Sequence, residues 1–162
     1  MPGSSARNRI RTVKLNTAIS VVFAAASLFA VSAEARDTSC VLTNGRTLAL
    51  TRLDTRPTYT YGQADKIEMT LSGPASGSQV YKAEPMFSGG GAIYVRFTHG
   101  AYSYVAYSGI GRGWNFEGLL VYKGRKPVMH KACKEAGKLL AGVSMSDINA
   151  QEDAAGDFVG PP

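Results

Sequence analysis

The sequence predicts an all-β protein: a small antiparallel β-barrel or sandwich of seven to eight strands, closed by one disulfide. Three observations carry that expectation. Short alternations of apolar and polar residues recur after residue 36, with the period of half-buried strands. Clusters of Gly, Asn, Ser and Pro separate them at close spacing. No stretch after residue 36 has the strand–long helix–strand pattern of a βαβ unit.

The elements follow in order. Cys40-Val41-Leu42-Thr43 and Arg46 to Arg52 flank Asn44-Gly45, a pair that accepts the positive φ of tight hairpin turns. Leu48 and Leu50 alternate with Thr47, Ala49 and Thr51, and Thr55-Arg56-Pro57-Thr58 breaks the pattern into a loop. Tyr59-Thr60-Tyr61 reads as a short edge strand, and Lys66 to Leu71 alternates with Ile67, Met69 and Leu71 on one face. Pro74 to Ser78 is a turn, Gln79 to Lys82 a strand, and Pro85 ends it. Ile93, Val95 and Phe97 alternate with Tyr94, Arg96 and Thr98, His99-Gly100-Ala101 turns, and Tyr102 to Tyr107 returns. Trp114 to Lys123 places Trp114, Phe116, Leu120 and Tyr122 on one face, with Gly118 marking a bulge or a close backbone approach. Gly124-Arg125-Lys126 turns into Pro127 to His130. Lys134 to Ala141 has helical composition and predicts a short C-terminal helix.

The first 35 residues address the chain. Arg7, Arg9, Arg11 and Lys14 precede an apolar run from Ala18 to Ala33, and small-x-small triplets end at Ala33 and Ala35. That is the pattern of a signal peptide over 1–35, implying a periplasmic or secreted protein. The apolar run is shorter than the roughly 20 residues a spanning helix wants, so no transmembrane segment is expected in the mature chain. Cys40 and Cys133 both remain after cleavage, and in an oxidising compartment they are expected to pair. A zinc site would need more ligands than His130 and Cys133 supply.

Of 18 Lys+Arg and 12 Asp+Glu, removing four bases and Glu34 with the leader leaves 14 against 11. Residues 36–141, the expected β domain, hold all 14 bases and seven acids. The segment 142–162 holds Asp147, Glu152, Asp153 and Asp157 with no base, and reads as an acidic disordered tail. A basic body draws anionic partners. Lys123, Arg125, Lys126, Lys131 and Lys134 cluster near one turn; they form a solvated face or a contact for an anionic envelope polymer or lipid. No nucleic-acid partner and no cofactor are expected.

The stretch Phe87–Trp114 carries the functional reading. Ser88-Gly89-Gly90-Gly91 and Ser108-Gly109-Ile110-Gly111-Arg112-Gly113 flank the central hairpin, so both belong at the same end of the sheet. They are either strand punctuation or a binding rim, with Arg112 and Trp114 beside it. A phosphate loop is excluded, because Gly-Lys-Ser/Thr and a following helix are missing.

The layout resembles the periplasmic and membrane-bound inhibitors of c-type lysozyme, small one-domain β-barrels of bacterial envelopes. The resemblance runs over Cys40–Gly45, Lys66–Gly73, Gln79–Val95, Tyr102–Trp114 and Cys133. Aligning Ala92-Ile93-Tyr94-Val95 with the end of the family's first loop motif places Gly90 at the functional serine and Ser88 two residues upstream. Arg112 is the cation nearest the second loop, in a displaced register. The resemblance implies a non-enzymatic protein that inserts loop residues between the paired carboxylates of a glycosidase cleft. Its binding residues would be Ser88, Gly90, Tyr94, Tyr107, Ser108, Arg112 and Trp114. Arg112 would offer a planar fork to a carboxylate, and Trp114 or Tyr107 an apolar anchor.

A catalytic role has less in the sequence to carry it. His99 sits at a turn and His130 near the last cysteine, neither in a nucleophile–base motif. Glu84 and Glu117 read as solvent-facing strand residues, and Tyr94, Tyr102, Tyr104 and Tyr107 as cross-strand packing or as a platform for sugars.

Overall fold

A computed structural model describes residues 37–74 and 77–154; the expected signal peptide and the last part of the tail lie outside the described residues. The first sheet is an antiparallel meander of β1 (Thr38–Val41), β2 (Thr47–Thr51), β3 (Thr58–Gln63) and β4 (Lys66–Ser72). The second contains β5 (Ser78–Ala83), β6 (Met86–Phe87), β7 (Gly90–His99), β8 (Tyr102–Gly111), β9 (Trp114–Lys123), β10 (Lys126–Ala132) and β11 (Gln151–Glu152). Its order is β10-β9-β8-β7-β5-β11, with β6 also paired to β7 and β11 running parallel to β5. The Asn44-Gly45 turn forms as its chemistry requires. Gly45 takes φ +80, and Asn44 Oδ1 accepts the Arg46 N–H at 3.1 Å.

The two sheets pack face to face. Leu48, Leu50, Tyr59 and Leu71 meet Val80, Val95, Phe97, Ala106, Leu119 and Val121, and Leu139, Leu140 and Ile148 close one side. Tyr59 fills the middle, its ring 5.7 Å from Phe97 and 5.6 Å from Tyr104. The sheets do not close into a barrel, so the sandwich alternative holds and the closed barrel of the resemblance does not. A single Leu42–Cys133 bridge and the Cys40–Cys133 disulfide fasten the sheets at one edge. The disulfide closes a loop of 93 residues, worth about 4–5 kcal/mol in the chain-entropy account.

Two expectations are corrected. Lys134–Ala141 forms bends and turns, with Gly137 at φ +75 and Leu140 at φ +56. The N–H groups of Gly137, Lys138 and Leu139 donate to the Glu117 carboxylate at 2.6, 3.1 and 3.1 Å instead of to carbonyls one helical turn back. Residues 143–154 are not a free tail. A 3-10 turn at Met145–Asp147 leads through buried Ile148 to β11, so the folded domain runs past the expected boundary at 141. Lys82 Nζ holds this segment by donating to the carbonyls of Met145 and Ile148 at 2.8 and 2.9 Å.

The second sheet is apolar on both faces. Opposite the main core, Ala92, Tyr94, Val105, Tyr107, Leu120 and Tyr122 form a second buried layer, with Phe87 and Phe116 against it. Among the described residues no helix is long and apolar enough to cross a membrane.

Candidate functional site

The register of β7, β8 and β9 builds one end of the molecule. Gly90 pairs with Gly111, Gly111 with Trp114, and Gly109 with Phe116. A Cβ on Gly90 or Gly111 would run into the Trp114 indole, and one on Gly109 into the Phe116 ring. These glycines therefore form a floor on which the two rings stack, 5.0 Å apart and nearly parallel. Phe87 meets both rings edge-on at 6.3 and 6.1 Å. The same absence of side chains explains Gly118, where a Cβ would strike the Lys131 carbonyl on β10, so of the bulge and the close approach expected there the close approach is found.

Two tight turns project from this floor. Ser88-Gly89 joins β6 to β7 and Arg112-Gly113 joins β8 to β9, with Gly89 at φ +79 and Gly113 at φ +81. The Arg112 N–H donates to the Gly89 carbonyl at 2.8 Å, so the turns lie side by side. Ser88 and Arg112 are exposed, and Trp114 is half-buried beside them. Of the seven binding residues expected from sequence, Ser88, Gly90, Arg112 and Trp114 are brought together here.

The other three are placed differently. Ser108 faces the inside of the sandwich, where its hydroxyl donates to Glu117 Oε1 at 3.2 Å. Tyr94 and Tyr107 are buried in the outer layer and offer nothing to a visitor at the rim. The Tyr94 hydroxyl donates to Asp153 Oδ2 at 2.8 Å, and burial, then that carboxylate, pushes its pKa up to about 12. Arg96 Nε meets the same oxygen at 2.6 Å, and the guanidinium lies 5.7 and 5.8 Å from the Tyr94 and Tyr122 ring centres. Tyr107 Oη lies 2.7 Å from His130 Nε2, and burial raises the phenol well above its ordinary value.

His130 is accordingly a packed partner of Tyr107, and His99 is exposed at its turn. Burial first, and Lys131 second, lower the His130 pKa below the ordinary imidazole value of 6.5. In the pH range between the two values the unfolded chain binds the proton more readily. The stability that neutral His130 contributes is thus full above pH 6.5 and is lost as pH falls through and below that value. Urea midpoints should show the wild type losing ground to His130→Gln between pH 8 and pH 5; a constant difference contradicts this.

Sequence reasoning missed a groove on the inner side of the same end. It encloses about 700 Å³ between the β7–β8–β9 end and the segment 137–145. Its lips are Met86 and Ile110, 77% and 73% exposed, and its walls include Gly91, Ile93, Leu140 and Val143. Glu117 lies in it, corrected from a solvent-facing residue to one 8% exposed. The signal available was register. With Arg112-Gly113 as a two-residue turn, Gly111 must face Trp114 and Ser108 must face Glu117. Among the described residues no group of three or more His, Cys, Asp or Glu side chains gathers as a metal site would require. No protein-family model, curated protein or solved structure matches the chain.

Proposed function

We propose that this chain is a non-enzymatic binding module of the cell envelope that blocks a glycosidase of the c-type lysozyme class. The β6–β7 and β8–β9 turns cover the glycosidase cleft, and the Arg112 guanidinium meets one of its paired carboxylates. One observation carries this reading: the Arg112 N–H to Gly89 carbonyl bond presents both turns as a single exposed rim. Ser88 adds a hydroxyl to that rim, and the Trp114–Phe116 stack stiffens it from behind. In a turbidity assay with a c-type lysozyme and a peptidoglycan suspension, excess protein should slow clearing. Unchanged clearing sinks the proposal. Arg112→Ala should weaken inhibition at least tenfold while moving the thermal midpoint by less than about 2 °C, since an exposed charge contributes little to stability.

A second reading has its own observation, at the other end of the strands. The Gly124 N–H donates to the Ala101 carbonyl at 2.8 Å, bringing the exposed Lys123–Lys126 turn beside His99–Tyr102. Lys123 Nζ lies 5.8 Å from the Tyr102 ring centre. A basic and aromatic tip of this kind suits an anionic glycan or lipid headgroup. Salt-sensitive retention on an anionic polysaccharide, abolished by Lys123→Glu with Lys126→Glu and indifferent to Arg112→Ala, would favour it over the rim.

A further inference from the structure

The two most exposed large apolar side chains among the described residues, Met86 and Ile110, are not scattered over the surface. Both line the groove at the rim end. A groove of about 700 Å³ lies within the range of binding clefts and has room for several side chains. Apolar surface concentrated in this way marks an interaction site rather than an ordinary exposed residue.

Charge narrows the occupant. The described residues lining the groove include two carboxylates, Glu84 and Glu117, and no basic side chain. Glu117 is spoken for by Ser108 and by the backbone N–H groups of residues 137, 138 and 139, which fix it in the floor. Glu84 is exposed at the mouth. Outside the groove, residues 36–141 hold 14 bases against five acids, so this mouth is where a cation meets carboxylate rather than repulsion.

We propose that the groove takes an extended segment of a cationic protein partner, with an apolar side chain between Met86 and Ile110 and a neighbouring lysine or arginine against Glu84. This rests on the reading that the rim end is the binding end, and adds the chemistry of the partner. Glu84 and Ile110 are exposed, so Glu84→Lys and Ile110→Ser keep the fold, which an unchanged thermal midpoint verifies.

The test is fluorescence anisotropy with the full chain and a labelled hexapeptide alternating lysine and leucine. Binding is expected, at least tenfold weaker for either variant and for a hexapeptide alternating glutamate and leucine. The proposal is overturned if the lysine–leucine peptide fails to bind, if both variants bind it unchanged, or if the glutamate–leucine peptide binds equally well. Turbidity assays on the same variants separate the two ideas. Full lysozyme inhibition by Glu84→Lys and Ile110→Ser overturns the groove and keeps the rim. Peptide capture without any inhibition keeps the groove and removes lysozyme as the target.

Discussion

Asp153→Ala is expected to lower the stability of the fold by about 3–5 kcal/mol, the usual cost of stranding a buried charge. Asp153 and Arg96 form an ion pair at 2.6 Å with side chains only 4% and 7% exposed. Removing the carboxylate leaves the guanidinium in the layer of Tyr94 and Tyr122 without its charge partner, and the ring faces there do not replace its lost hydration. Arg96 Nη2 is already buried without a hydrogen-bond partner among the described residues, so little is in reserve. Tyr94 loses its acceptor in the same step. Urea denaturation measures the loss, and Arg96→Met with Asp153→Leu should recover most of it by removing both charges. A cost below about 1 kcal/mol would mean that the pair behaves as a surface ion pair, contrary to its burial.

Glu117→Ala is expected to cost about 3 kcal/mol or more. Three backbone N–H groups lose their acceptor together; the buried Leu139 N–H costs about 1–3 kcal/mol when left unpaired, and the part-buried Gly137 and Lys138 N–H groups add smaller losses. The loss is also directional. Gly137 and Leu140, at the two ends of this turn, line the groove, and the carboxylate is what holds the turn against β9. Amide hydrogen exchange should show Gly137, Lys138 and Leu139 losing protection before the strands do. Glu117→Gln keeps an acceptor oxygen and should cost about half as much. Unchanged protection at those three amides would show that some other contact holds the segment.

Much of the strand layout was legible because local chemistry determines it. The Asn44-Gly45 turn, the strand Lys66–Ser72 and the strand Trp114–Lys123 all lie where periodicity and turn residues place them, although a register shift opposite Ile67 and Met69 breaks the alternation and leaves Ile67 exposed. The Cys40–Cys133 disulfide is the one intramolecular pairing that two cysteines allow. What was not legible depends on contacts distant in sequence. Asp153 reads as one more acid in a polar tail until it is seen 57 residues from Arg96 and bonded to it. Lys134–Ala141 has helical composition, yet Glu117 on β9 claims its amides. Period two groups Tyr94 with Arg96 on one face and Val95 with Phe97 on the other, but does not say that both faces are buried.

The candidate site was legible by the same rule. The tight turns announce themselves through Gly89 and Gly113, and their adjacency follows from hairpin register. The role of Gly90, Gly109 and Gly111 does not, because a glycine beneath a ring and a glycine in a turn look alike in sequence. The groove needed Ile110 and Met86 to be placed in space, since each alone is an ordinary apolar residue.

The central claim is that targets engage the Gly89–Gly113 end rather than the Lys123–Lys126 end. Ten-residue strands separate the two by about 30 Å, so one footprint distinguishes them. Hydrogen exchange of the chain with and without a c-type lysozyme is the direct measurement. Added protection should fall on Met86–Gly91 and Gly109–Gly113. Protection confined to the Gly100–Ala101 and Gly124–Arg125 turns, with the rim unchanged, would contradict the claim.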